Sequence, residues 1–332
     1  MTRITVGLVV ILALGLLGRA HAAAAPPPKR VPMIGVLLSL SPPAGPEWKQ
    51  HSVFLQELRT LGWREGENIT IEYRWASGRL QRGADLAAEL VSRHVDLIVV
   101  DNRVLSQAVQ HATTTIPIVM LSVDDPVAEG LVASLAQPRG NITGVDNSVT
   151  PELSGKLLAF LTEAVPAVRQ IAVLVDPRYA GTRSMVAETT RVAQALGVQP
   201  HVLEVQDPAE LPRVFATATQ EGDGPLLVLP ALLFAVHERR LVALAAEHRL
   251  PAVAWYGSFA KAGGLLAYGP NLAELWRRMA YYVDRLLKGA KPADLPVERP
   301  TRFELVINLK AAQFLGITIP PMLLFQADEV IR

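Results

Sequence analysis

The chain contains no cysteine. That absence excludes a disulfide framework, a thiolate nucleophile, a cysteine-based metal site and lipid attachment through an N-terminal cysteine. A protein without thiols suits an oxidising compartment such as a periplasm. An excess of either charge is missing as well: 32 Lys and Arg face 31 Asp and Glu, for a formal net charge of +1. With no basic cluster either, nothing supplies an electrostatic footprint for a nucleic-acid partner. Catalytic signatures are also lacking. There is no GxGxxG turn, GxSxG elbow or HExxH helix. Gly155-Lys156 lacks the earlier glycine of a phosphate loop, and His237-Glu238 has no second histidine four residues on. The histidines are scattered, with His94, His111, His237 and His248 at helical or helix-end positions, so no metal set and no cofactor is implied. Asp124-Asp125 is the nearest thing to a paired carboxylate, but adjacent residues in an extended turn point different ways. Capping suits Asp125 better, since Pro126 fits a first helical turn.

What is present begins with a leader. Met1-Thr2-Arg3, an apolar stretch from Val6 to Leu17 and a closing Ala20-His21-Ala22 follow the plan of a secretory signal peptide over residues 1–22. The apolar stretch is shorter than the roughly 20 residues that span a bilayer. Cleavage after Ala22 is therefore expected, leaving a mature protein that is not membrane-inserted. The remainder is long enough for two domains of about 100–200 residues each. With 50% hydrophobic and 19% charged residues it can build cores for both.

Two successive runs of alternating strand and helix follow. The first places strands at 31–38, 68–74, 95–100 and 116–123, with helices near 48–61, 86–92 and 104–111. The second starts near Gly144, with helices at 151–164, 182–196, 208–220 and 237–248, and strands at 170–175, 201–205, 226–229 and 252–255. Strands separated by helix-length segments imply parallel pairing through right-handed crossovers, hence two doubly wound α/β lobes. The tail changes rhythm: a strand at 265–268, a long helix at 272–287, a last apolar strand at 303–307 and a short helix ended by Gly316.

A doubly wound sheet binds ligands at the carboxyl ends of its strands. In the first half those positions hold Ser39, Ser41, Asp101, Asn102, Ser122, Asp124 and Asp125. In the second they hold Asn147, Asp176, Arg178, Tyr179, Pro230, Tyr256, Gly257 and Ser258. Facing each other across a cleft, such polar and aromatic residues form a small-molecule site. Ser, Asp and Asn at these places equally serve as caps of the following helices. For a zwitterionic ligand, Asp101 or Asp176 would meet the amine and Arg178, hydroxyls or backbone N–H groups the carboxylate. Tyr179 and Tyr256 would stack on its side chain.

Several phrases add specificity: Asp125-Pro126-Val127, Gly130 to Ala136, Gly140-Asn141-Ile142-Thr143-Gly144, Tyr256-Gly257-Ser258, Ala262-Gly263-Gly264-Leu265, Tyr268-Gly269-Pro270-Asn271, Lys288 to Glu298 and Ala327 to Ile331. In number and order they resemble the ABC-transporter substrate-binding proteins related to the tryptophan and aromatic amino-acid binders, over Val31 to Ile331. The resemblance implies a type 1 periplasmic-binding-protein fold, with three hinge crossings near Gly144, Gly264 and Pro296. Lobe one would hold 31–144 plus 265–296, and lobe two 145–264 plus 297–332. It also implies a periplasmic, non-enzymatic protein that closes on a small ligand and presents it to an inner-membrane ABC permease. Asp101-Asn102-Arg103 departs from the family, which usually has small residues with a proline there, and the turn after Ser258 is short. A ligand-sensing subunit of a signalling system and an exported α/β enzyme remain alternatives.

Overall fold

The computed structural model describes residues 30–42, 49–121, 125–147, 150–166 and 168–332. The expected leader lies outside the described residues. The first lobe is built from β1 (Met33–Leu38), α1 (Lys49–Thr60), β2 (Thr70–Trp75), α2 (Gly83–Ser92), β3 (Leu97–Val100), α3 (Arg103–Ala112), β4 (Ile118–Leu121) and β5 (Ile142–Val145). The five strands are parallel, in the order β2-β1-β3-β4-β5. β3 and β4 are buried throughout, as their unbroken apolar runs require of strands covered on both faces. Alternation along β1 sends Ile34, Val36 and Leu38 to one face and Leu37 to the other. Leu86 and Leu90 of α2 and Leu105 and Val109 of α3 cover the Leu37 face.

The second lobe contains α4 (Pro151–Ala164), β6 (Gln170–Val175), α5 (Thr182–Leu196), β7 (Gln199–Glu204), α6 (Leu211–Gln220), β8 (Leu226–Val228), α7 (Leu232–Val236), α8 (Glu238–Glu247), β9 (Ala252–Ala254), α9 (Gly257–Ala262) and β10 (Leu266–Pro270). After α10 (Leu272–Leu287) it resumes with β11 (Phe303–Asn308), α11 (Leu309–Leu315), α12 (Pro321–Gln326) and β12 (Glu329–Ile331). Its sheet runs β12-β11-β10-β9-β8-β6-β7. β6 to β10 are parallel, whereas β11 is antiparallel to β10 and carries β12 parallel to itself.

α10 leaves this lobe and packs on the first. Its apolar stripe of Leu275, Trp276, Met279 and Val283 meets Phe54 and Leu58 of α1 and the Ile34 face of β1. Phe54 and Trp276 touch edge to face, with ring centroids 5.8 Å apart. The crossing expected near Gly264 therefore needs correction. β10 sits between β9 and β11, so residues 266–270 belong to the second sheet and the chain crosses at Asn271. An apolar run such as Leu-Leu-Ala-Tyr fits either sheet, and only strand pairing decides.

Three crossing segments lie side by side. Val145 bridges Glu298, Asp146 N–H donates to the Glu298 carbonyl at 2.8 Å, and Asn271 N–H donates to the Arg302 carbonyl at 3.2 Å. Arg299 Nε donates to the fully buried Asp146 carboxylate at 3.0 Å. Arg278 of α10 grips both oxygens of Glu298, at 2.8 and 2.6 Å. Two glycines permit the strands entering this region to approach their neighbours. A Cβ on Gly144, which has φ +137°, would lie 2.2 Å from the Met120 carbonyl oxygen; one on Gly269 would lie 2.1 Å from that of Trp255. No side chain fits at such separations, which gives the Thr-Gly and Tyr-Gly phrases a backbone reason.

Candidate ligand-binding cleft

On the first lobe the carboxyl ends of β1 and β3 are tied together. Asp101 Oδ1 accepts the Ser39 N–H at 2.8 Å and Oδ2 accepts the Ser39 hydroxyl at 3.0 Å. Burial pushes the Asp101 carboxyl up to about 6, against the lowering pull of these bonds. Asn102 caps α3: its Oδ1 accepts the Val104 N–H at 2.9 Å. Arg103 is turned away to Glu129, at 2.9 Å, which Gln107 also contacts at 3.0 Å. The unusual Asp-Asn-Arg loop thus spends its polar groups on local structure. Ser41 is exposed. Ser122 and Asp124 lie outside the described residues. Asp125 holds its turn by accepting the Ala128 N–H at 3.1 Å.

The loop after β2 belongs to the same edge. Gly78 N–H donates to the Ser39 carbonyl at 2.8 Å. A methyl placed on Gly78 would meet Val236, at the end of α7 in the other lobe, at 3.8 Å. The two sets of strand ends therefore approach each other, with the Ser39 and Asp101 corner on one side and the α7 region on the other.

The second lobe's edge holds the remaining candidates. Asp176 follows β6, and both its oxygens are taken by Arg178, whose Nε and Nη2 lie at 2.8 Å. Asp176 is buried and the Arg178 side chain is 56% exposed, so the pair closes the turn and leaves the outer guanidinium edge in solvent. Tyr179 and Tyr256 are half-buried and rest against the second lobe's core. The Tyr256 hydroxyl accepts from Asn147 Nδ2 at 2.9 Å, linking the end of β9 to the first crossing. Asn147 is buried, and its Oδ1 has no partner among the described residues. Pro230 is half-buried after β8. Gly257 is packed on β11, where a Cβ would strike Glu304 Oε1 at 2.8 Å and Val306 Cγ2 at 3.0 Å.

Sequence reasoning weighed Glu238 only as half of an incomplete HExxH motif and as part of a helix, not as a ligand contact. It opens α8, and Ser258 Oγ of α9 donates to its Oε2 at 2.8 Å. Burial raises its carboxyl above the ordinary glutamate range. The signal available was its place soon after the apolar run Leu232 to Val236, which returns the chain from the end of β8.

The edge thus supplies hydroxyls, amides, carboxylates and two aromatic rings, a set suited to holding a small polar ligand by hydrogen bonds and stacking. A hydroxyl bonded to an imidazole, Thr219 to His248 Nδ1 at 2.9 Å, lies at the C-terminal ends of α6 and α8, away from the strand carboxyl ends. Among the described residues one group has metal-ligand chemistry, and it is also remote. His201 Nδ1 is 2.7 Å from Asp223 Oδ2 and 3.3 Å from Glu221 Oε2. Gln170 contacts the other Asp223 oxygen, so this cluster ties β6, β7 and the turn before β8 together.

Two α/β lobes joined by three crossings, with their strand ends apposed, define a type 1 periplasmic-binding-protein fold. The chain belongs to the ABC transporter substrate-binding protein family, which it matches over residues 34–331. That is a family of binding proteins, not of enzymes. A tyrosine-binding protein of Clostridioides difficile is 25% identical over 280 residues, covering 83% of this chain and 80% of that protein. A conserved domain protein from Vibrio cholerae superposes with a TM-score of 0.79 at 25% identity, over 91% of this chain and 100% of the other. A Streptococcus pneumoniae protein solved in complex with L-Trp gives 0.77 at 25% identity, over 90% and 99%. Among the described residues no helix is long and apolar enough to cross a membrane.

Proposed function

We propose that this protein is the periplasmic receptor of an amino-acid uptake system: exported by its leader, cleaved after Ala22, binding its cargo between the lobes and handing it unchanged to an inner-membrane permease. The approach of the two lobes at their strand ends, where Gly78 of the first lies close to Val236 of the second, supports the proposal, because hydrogen-bonding groups follow the strands on both sides. A ligand bridging them favours the closed arrangement by its differential affinity for it. The relatives' tyrosine and L-Trp motivate the amino-acid class. Tyr179 and Tyr256 supply rings of the kind an aromatic or aliphatic side chain packs on. A thermal-shift screen of amino acids, sugars, nucleosides and organic acids tests it. At a hundredfold excess over its dissociation constant a true ligand stabilises by about 2.7 kcal/mol, read as a rise of a few degrees in Tm. A response confined to sugars or nucleosides overturns the amino-acid class. Turnover of any bound compound overturns the non-catalytic reading.

A further inference from the structure

Both carboxylates expected to meet a ligand amine are already engaged. Asp101 accepts from Ser39 through its two oxygens, and Asp176 from Arg178 through its two. A bidentate guanidinium leaves little of a carboxylate's charge for a second cation.

Glu238 is placed otherwise. Val236, two residues earlier, is the side chain that meets Gly78 of the first lobe. Ser258 Oγ occupies Glu238 Oε2, and among the described residues the carboxylate forms no other hydrogen bond and no ion pair. It is half-buried, and burial raises its pKa. An acid in a first turn also complements the helix dipole, but that role requires neither burial nor a hydroxyl from another helix. Asn147 Oδ1, buried at the first crossing beside Tyr256, has no donor among the described residues. A buried acceptor left without a donor, as Asn147 Oδ1 is, is costly, and a ligand that brings an N–H group removes the cost.

We infer that the ligand carries a cationic amine and that Glu238, on the second lobe, is the residue that holds it. The inference rests on the solute-binding reading and narrows it. Ser258 fixes the carboxylate so that Oε1 stays free for the ammonium. Asp101 and Ser39 become a rigid corner of the opposite wall.

Calorimetric titrations of the wild type and of Glu238→Gln, with L-tyrosine, L-tryptophan and L-leucine beside the amine-free 3-(4-hydroxyphenyl)propionate and indole-3-propionate, test this. Loss of one charge-assisted bond predicts a weakening of about tenfold or more for the amine-bearing ligand in Glu238→Gln, with amine-free affinity unchanged. Glu238→Asp, which keeps the charge but retracts it, is expected to fall between the two, and guards against a Gln variant that folds poorly. Equal loss for both ligand types, or none for either, overturns the assignment of Glu238. Binding of amine-free compounds alone overturns the amine while leaving the binding-protein reading in place.

Discussion

Burial holds the Asp101 carboxyl near pH 6, well above its ordinary 3.8, although Ser39 bonds both oxygens. An acid with a raised folded-state pKa opposes folding once it is ionised. Its favourable contribution is complete below about pH 4 and is lost as pH climbs through about 6. The span between those values corresponds to at most about 3 kcal/mol. Asp101→Asn keeps an acceptor for the Ser39 N–H and cannot titrate. Chemical denaturation from pH 7 to pH 4 is therefore expected to show wild type gaining stability relative to the variant by up to about 3 kcal/mol. A difference that stays flat, or that shrinks on acidification, contradicts the burial argument. Position alone marked Asp101 and Asp176, and both lie at strand ends, yet their partners are local: a serine on the neighbouring strand and an arginine two residues on. Glu238 was invisible for the opposite reason, because a glutamate opening a helix is commonplace and only the fold brings Ser258 to it.

At the scale of elements, α10 belongs to one lobe by packing and to the other by chain order. Phe54 is fully buried and Trp276 6% exposed, and their edge-to-face contact joins α1 to α10. Truncating a buried aromatic to alanine costs about 3–5 kcal/mol. Residues in direct contact couple by about 0.5–3 kcal/mol. Phe54→Ala and Trp276→Ala are each expected to be destabilising, and the double variant to cost measurably less than their sum. Strict additivity in denaturant titrations contradicts the packing of α10 on the first lobe. Strands with continuous apolar runs, such as β3 and β4, were legible because burial on both faces leaves no other composition. β5 was not: Ile-Thr-Gly-Val is short and half polar, and its strand character comes from the Met120 backbone lying against Gly144. β10 was seen as a strand but given to the wrong lobe, since its partners β9 and β11 lie on either side of it in the chain and its own residues name neither.

At the level of the whole molecule, the two lobes approach at the carboxyl ends of their strands, where Gly78 lies close to Val236, and three adjoining crossings join them. Asp146 with Arg299 and Glu298 with Arg278 tie the crossings to one another and to α10. Motion of one lobe against the other would therefore pivot beside two ion pairs and leave both cores intact, the hinge behaviour expected of a protein that closes on a ligand. The architecture was legible from the alternation of strands and helices. The identity of the cargo was not, because it depends on side chains from distant segments. Reversible binding without chemistry is what the proposed function requires of this protein. Equilibrium dialysis of the protein against an amino-acid mixture, followed by quantification of what is retained and released, tests it most directly. One amino acid is expected to be retained at a single saturable site per chain and recovered unchanged on denaturation. Retention of no amino acid, or recovery of an altered compound, would contradict it.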